Sequence, residues 1–215
     1  MKIEILSAKS IGEGDPWVDK TIFVMPSNDL DIAKQCATLM ASRAGEPSLV
    51  LVIEDTDGEG FIKICNRVFR QSQSEFFGYV AQDAFPGRGW LKLALLNMVD
   101  VDRGLFAFND GKWHGLLAGF GLVKREWAVR NYDGDLFYPG YGRHYADAEL
   151  TLIAKCHQML AYDPRSVLVE VDWNKDAKPV DAADKMLFKQ RAKTLFDGRV
   201  TDDRFCQILS KVNPQ

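Results

Sequence analysis

Three times between Thr21 and Met98 an apolar run of strand length stops at a polar turn and gives way to apolar residues at helical spacing. Parallel strands need a crossover, ordinarily a helix, so three such units in succession predict a parallel sheet covered by helices. The first unit is the strand Thr21 to Met25, the turn Pro26-Ser27-Asn28-Asp29, and Leu30 to Arg43, where Leu30, Ala33, Ala37, Leu39 and Met40 recur at helical spacing until Gly45. The second is Leu49 to Ile53, the acidic turn Glu54-Asp55-Thr56-Asp57-Gly58, and a helix from Phe61 to Phe69. The third is Phe76 to Ala81, the turn Gln82-Asp83-Ala84-Phe85-Pro86-Gly87, and a helix from Trp90 to Met98.

Beyond Met98 the rhythm changes. Gly104 to Phe108 and Trp113 to Val123 flank an Asp110-Gly111 turn and predict a β-hairpin, followed by a helix over Leu122 to Arg130. The glycine- and tyrosine-rich stretch Tyr132 to Tyr145 is long for a connector and predicts a functional loop. Asp147 then opens a helix running to about Leu160, Ser166 to Val171 is a further strand, and Ala182 to Leu195 a final amphipathic helix. No repeat or linker divides the chain, so the expectation over 1–215 is one Rossmann-like α/β domain. Its central sheet would be mixed but mostly parallel, flanked by helices.

Composition narrows the function. With 27 Lys and Arg against 30 Asp and Glu, the net charge of −3 supplies no basic footprint, which disfavours nucleic acid as a partner. Cys36, Cys65, Cys156 and Cys206 are widely spaced without a CxxC pair, and reduced thiols in a cytoplasmic setting are expected. Acids at Glu4, Glu13 and Asp15 argue against a signal peptide. Nowhere does an apolar run approach the roughly 18 residues of a transmembrane segment. The expectation is a cytoplasmic protein with any membrane contact peripheral, at the inner face.

In open α/β sheets ligands bind beyond the carboxyl ends of the strands, so the turns after the strands hold the candidate site. Pro26, Asn28 and Asp29 could hold a nucleoside, or Asn28 or Asp29 could simply cap the helix that follows. Glu54, Asp55 and Asp57 crowd three carboxylates onto one strand end, where mutual repulsion favours a cation, an amide cluster or a ligand hydroxyl. Asp83 beside them would be a hard oxygen ligand for Mg2+ or Mn2+ on a diphosphate, or a helix cap. Asp147 reads as a helix N-terminus by itself, but it follows Gly140, Tyr141, Gly142, Arg143, His144 and Tyr145, a polar and aromatic concentration suited to a sugar. His114, in an expected apolar strand, and His157, on a helix stripe, read as structural. No paired His/Cys spacing supports zinc, and no nucleophile elbow, GxGxxG or P-loop motif follows a strand.

A strand ending in Pro-Ser-Asn-Asp, a strand ending in Glu-Asp-Thr-Asp-Gly, a third ending in Gln-Asp, and a Gly/Tyr loop before Ala-Asp-Ala-Glu-Leu together resemble the family-2-like inverting nucleotide-sugar glycosyltransferases of the A-type fold. The similarity spans about Thr21 to Leu160. It implies hexosyl transfer from a nucleotide-diphosphate sugar to a hydroxyl of a glycan, lipid-linked or protein acceptor, with Mn2+ or Mg2+ as cofactor. Pro26, Asn28, Asp29, Glu54, Asp55 and Asp57 would then bind the nucleoside. Ala81-Gln82-Asp83 would stand at the metal motif, with Asp83 the metal contact and Gln82 on the donor. Asp147 would be the catalytic base, with Tyr141, His144 and Glu149 as substrate contacts. Two departures stand out: Ala81 replaces the first carboxylate of Asp-x-Asp, and Ala146 replaces the acid before the base. They motivate a rival of another class, a nucleotide- or glycan-binding module that has lost catalysis. A nucleotidyltransferase would also place acids at strand ends, but it calls for a glycine- and Lys/Arg-rich N-terminal loop that this chain lacks.

Overall fold

The computed structural model describes residues 1–100, 102–171, 180–202 and 204–205. Strand β1 (Lys2–Ser7) is followed by a short β2 (Trp17–Val18), β3 (Thr21–Ser27), α1 (Leu30–Arg43), β4 (Leu49–Glu54), α2 (Phe61–Gln71), β5 (Ser72–Gln73), β6 (Phe76–Tyr79), β7 (Ala84–Pro86) and α3 (Trp90–Asp100). The chain continues through β8 (Leu105–Asn109), β9 (Gly121–Lys124), α4 (Arg125–Ala128), α5 (Ala146–Cys156), β10 (Leu160–Glu170) and α6 (Ala182–Lys193). Eight strands form one mixed sheet in the order β1-β4-β3-β6-β9-β8-β10-β7, while β2 and β5 make a separate pair.

Strands β3, β4 and β6 run parallel, as the three βα units predict, and β1 joins them in the same direction. Their residues alternate between two apolar layers. Ile22, Val24, Leu51 and Ile53 pack with α2 and α5 on one face; Phe23, Met25, Val50 and Val52 pack with α1 and α3 on the other. Gly78 in β6 is fixed by this packing, because a Cβ there would stand 2.0 Å from the Phe23 ring.

The N-terminal twenty residues, without assignment in the sequence, contribute β1 as an edge strand in register with β4, Lys2 opposite Leu49 and Ser7 opposite Glu54. The helix expected over Leu122 to Arg130 is instead β9 followed by the single turn α4. Leu122 and Val123 sit mid-sheet between Gly78 and Phe77 on one side and Phe106 and Leu105 on the other, so pairing on both flanks overrides the helix-like spacing contributed by Trp127 and Ala128. The hairpin exists as β8 and β9, but 110–120 is a loop and not the start of the second strand. His114 is accordingly exposed, with φ of 47°, and not part of an apolar strand. Helix α5 stops at Cys156, short of the expected Leu160, and β10 begins at Leu160, six residues before expectation; its pairing with β8 shifts register between Tyr162 and Val167, around Pro164, which has no N–H to give. Cys36, Cys65 and Cys156 are thiols, and burial pushes Cys36 up to about 12. Cys206 lies outside the described residues.

Candidate functional site

Because β3, β4 and β6 are parallel neighbours, their carboxyl ends share one sheet edge, with Ser27 opposite Glu54 and Val24 opposite Tyr79. Gln82 ties this edge together. Its Oε1 accepts the Ser27 hydroxyl at 2.8 Å and the backbone N–H groups of Asn28 at 3.0 Å and Asp29 at 3.1 Å. Pro26 is buried in β3 opposite Ile53, while Asn28 and Asp29 are exposed. The Asp29 carboxylate caps α1, accepting from Asp31 at 3.1 Å and Ile32 at 3.2 Å. Asp55 accepts from the N–H groups of Glu59 and Gly60 at 2.8 and 2.9 Å and so shapes the turn into α2. Glu54 is half-buried beside it, and exposed Asp57 pairs with Lys9 at 3.1 Å. The edge therefore brings together Asn28, Asp29, Glu54, Asp55 and Gln82, with Asp57 at its rim.

Asp83 lies in the turn between β6 and β7, 5% exposed, its carbonyl accepting from Val171 at 3.3 Å. Among the described residues no group of three His, Cys, Asp or Glu side chains could hold a metal ion unaided. A cation bound mainly by substrate phosphates needs only one or two protein carboxylates, and Asp83 is the acid that directly follows Gln82 in the chain.

A second feature is a cleft of about 790 Å³ between the 110–120 loop, the N-terminal half of α5 and the end of β10, with Asp147, His144 and Tyr145 in its wall. Asp147 occupies the second position of α5, and its carboxylate accepts the Ala148 N–H at 2.9 Å. Helix N-termini ordinarily favour an anion. Here withdrawal from water outweighs that and pushes the Asp147 carboxyl up to about 6, against hydrogen bonds and the nearby His144 that pull it down. A carboxylate in that range takes and returns a proton near neutrality, the property a general base needs.

The stretch Tyr132 to Tyr145 is pinned. Asn66 both donates to and accepts from the Phe137 backbone at 2.9 Å, and Tyr132, Leu136, Phe137 and Tyr141 are buried. The N–H groups of Gly142, Arg143 and His144 all point at the Asp184 carboxylate of α6, at 2.8, 2.7 and 2.8 Å. Burial pushes Asp184 up, but those three donors more than reverse it and hold the group below the usual carboxylate range.

Glu149 and Tyr141 face inward. Glu149 is 0% exposed and receives the Tyr132 hydroxyl at 2.9 Å, the Tyr141 hydroxyl at 2.8 Å, and Arg191 through Nε at 2.8 Å and Nη2 at 2.7 Å. Every one of these contacts is to protein. The Arg191 guanidinium lies 3.4 Å from the centre of the Tyr138 ring. Burial pulls Arg191 down, and Glu149 and Asp197 reverse that to leave it raised. Arg191 and Asp184 were not singled out in the sequence, where an arginine and an aspartate on an amphipathic surface helix give no sign of partners some forty residues away. His157, expected to be structural, has Nε2 at 3.1 Å from the Arg199 carbonyl.

No protein-family profile and no curated protein matches the sequence. Solved structures do share the fold. The mannosyltransferase PcManGT from Pyrobaculum calidifontis, in complex with GDP-Man and Mn2+, superposes with a TM-score of 0.59 at 16% identity, over 94% of this chain and 73% of that one. S. aureus TarS 1-349 in complex with UDP gives 0.67 at 13% identity, over 90% and 70%. Its complex with UDP-GlcNAc gives 0.65 at 12%, over 90% and 71%. At such identities the likeness establishes the architecture, and it is the one the strand-end motifs resemble.

Proposed function

We propose that this chain, whose fold is that of the A-type nucleotide-sugar glycosyltransferases, acts over 1–215 as one catalytic unit that moves a hexosyl group from a nucleoside-diphosphate donor to an acceptor hydroxyl with inversion. The observation that carries the reading is the pairing of two features: a sheet edge where the ends of β3, β4 and β6 meet, and a cleft whose acid, Asp147, is tuned to about 6 and acts on Tyr79, the last residue of β6. Asn28, Asp29, Glu54 and Asp55 would hold the nucleoside, with Gln82 fixing their turn. Asp83 would hold a Mn2+ or Mg2+ ion on the diphosphate; such an ion offsets the charge of the leaving group. Asp147 would take the proton of the acceptor hydroxyl as its oxygen bonds to the anomeric carbon, while the bond from that carbon to the diphosphate breaks and the diphosphate leaves with the electron pair. His144, in the same wall, is a candidate substrate contact; Glu149 and Tyr141, committed to Arg191 and to each other, are left out of the contact set.

Ala146 supports assigning the base to Asp147 alone. It is 3% exposed and packed in the core, so an acid in that position would have no water to face. A cytoplasmic enzyme with any membrane contact peripheral belongs to the same proposal; among the described residues no helix is long and apolar enough to cross a membrane.

Calorimetry against UDP, GDP, ADP and CDP, with Mn2+ and with chelator, tests the reading. At least one nucleotide should bind, more tightly with Mn2+, and Asp83→Ala should abolish the metal effect with little change in melting temperature. Absence of binding to every nucleotide would overturn it. Ala81, which removes one acid from the metal motif, favours a second reading, a binding module without transfer; metal-independent nucleotide binding without turnover of any nucleotide sugar would select it.

A further inference from the structure

The wall of the Asp147 cleft is partly polar, with Asp110, Lys112, Thr151, Lys155 and Glu170, and partly apolar. Trp113, Leu116, Leu152 and Val180 line it, and three of them are well exposed: Trp113 at 41%, Leu116 at 69% and Val180 at 48%. Exposed leucines are ordinary when scattered, but here they gather around one concavity with a titratable acid in it. The loop that presents Trp113 and Leu116 is held down by polar groups that are thereby consumed. Asp110 accepts from the N–H groups of Lys112 and Trp113, Lys155 donates to the Leu116 carbonyl, and the Tyr79 hydroxyl donates to the Ala118 carbonyl. The Ala118 N–H donates to Thr151, whose own hydroxyl donates to the Asp147 carbonyl, so the loop is stapled to α5 one turn beyond the acid. A ligand entering the cleft meets a preorganised apolar wall beside Asp147, at little ordering cost.

Building on the glycosyl-transfer reading, we propose that the acceptor is an amphiphile, its reacting hydroxyl at Asp147 and an alkyl or aryl aglycone laid against Trp113, Leu116, Leu152 and Val180. The bond changes are those of the transfer itself: the acceptor O–H proton passes to Asp147, the new C–O bond forms and the diphosphate leaves. An unsubstituted oligosaccharide can stack on Trp113 but sets hydroxyl groups against Leu116, Leu152 and Val180, where they find no partner, whereas an aliphatic chain buries its apolar area there at no such cost.

The test is calorimetric titration with matched methyl and octyl β-glycosides of glucose, galactose and N-acetylglucosamine, below the micelle concentration, with and without UDP or GDP. In at least one pair the octyl member should bind at least about tenfold more tightly than the methyl member, as burial of a few methylenes requires. Leu116→Asp should reduce the preference to within about threefold while nucleotide affinity and melting temperature stay unchanged, because its side chain is mostly in water. Leu116→Met should keep the preference. Equal affinity within every pair, no binding of any glycoside, or a preference that survives Leu116→Asp would each overturn the proposal. Loss of nucleotide binding with the octyl preference intact would remove the transfer reading and leave the apolar subsite standing.

Discussion

At the strand-end edge Asp29 and Asp55 stay in contact with water and hold their own turns; around α5 Glu149 and Asp184 are withdrawn from water and hold elements distant in sequence. Asp29 caps the helix it precedes, and Asp55 bonds to N–H groups four and five residues on. Glu149, by contrast, reaches Arg191 in α6, and Asp184 reaches back to three N–H groups at 142–144. The first arrangement leaves an open, adaptable edge suited to a ligand that brings its own charges. The second fixes a rigid frame on either side of Asp147. The frame beside Asp147 thus depends on Arg191 and Asp184 of α6, which lie outside the region where the glycosyltransferase resemblance lies.

The sharpest way to break that contrast is Arg191→Ala. Removing one partner of a buried pair strands the other charge, so unfolding by denaturant should show a loss of about 3–5 kcal/mol. Adding Glu149→Gln should recover part of it, since the amide still accepts from a tyrosine hydroxyl and carries no charge. If Arg191→Ala costs no more than a surface pair does, the two regions are energetically alike and the frame is ornamental.

Asp147→Asn comes next, and it separates catalysis from stability. Turnover should fall by at least about 10²-fold with donor binding retained. Stability should move the other way. The folded-state value of about 6 lies above the ordinary 3.8, so the folded protein holds this proton more tightly than the unfolded chain. The contribution of Asp147 is therefore most favourable at acid pH, declines as pH rises from about 4 to about 6, and is a net cost at pH 7 of roughly 1–3 kcal/mol, which the asparagine should relieve. In the wild type kcat/KM, which reports the free enzyme, should show an acid limb with its midpoint near 6. A wild-type rate in the variant would reduce Asp147 to a helix-terminus acid and move the search for the base to His144.

How much of this was legible follows the same division. The strand-end edge was readable because each feature is local: an apolar run, a turn and a helix lie within thirty residues, and parallel crossovers leave little choice about which ends meet. The cap that Asp29 places on α1 was legible that way. The interior fate of Glu149 was not, because a single residue, Ala148, separates it from Asp147 on the same helical turn and nothing nearby says which faces the cleft and which faces Arg191. Strand β9 was missed for a related reason, its pairing with β6 and β8 being set across the sheet and not by its neighbours in sequence. Ala146 was read as a departure from the family motif; its burial explains it as packing.

A smaller effect is expected at Asp184, with the opposite pH sign to Asp147. Although burial works against it, its three backbone donors hold its value below the ordinary one, so its stabilisation is present above the usual carboxylate range and is lost as pH falls through the lowered value. Asp184→Asn, which cannot accept from all three N–H groups, should cost about 1–3 kcal/mol at pH 7 and nearly nothing in strong acid. A pH-independent loss would show that packing, and not charge, makes the contact.

The smallest effect should come at the rim of the open edge, and its smallness makes it informative. Asp57 and Lys9 meet at 3.1 Å with side chains 50% and 66% exposed, a geometry in which Coulomb attraction is largely spent on holding two mobile side chains together. Asp57→Asn should change stability by less than about 1 kcal/mol, and by less still at high salt. Any change in nucleotide affinity in that variant is then a binding effect and not a folding one, which no substitution around Glu149 can offer. If the Asn variant binds nucleotide as the wild type does, Asp57 belongs to the surface and the nucleoside site ends at Asp55. If affinity falls while the melting temperature holds, the edge extends to Asp57, and the exposed acids contribute to recognition because they are not committed to the frame.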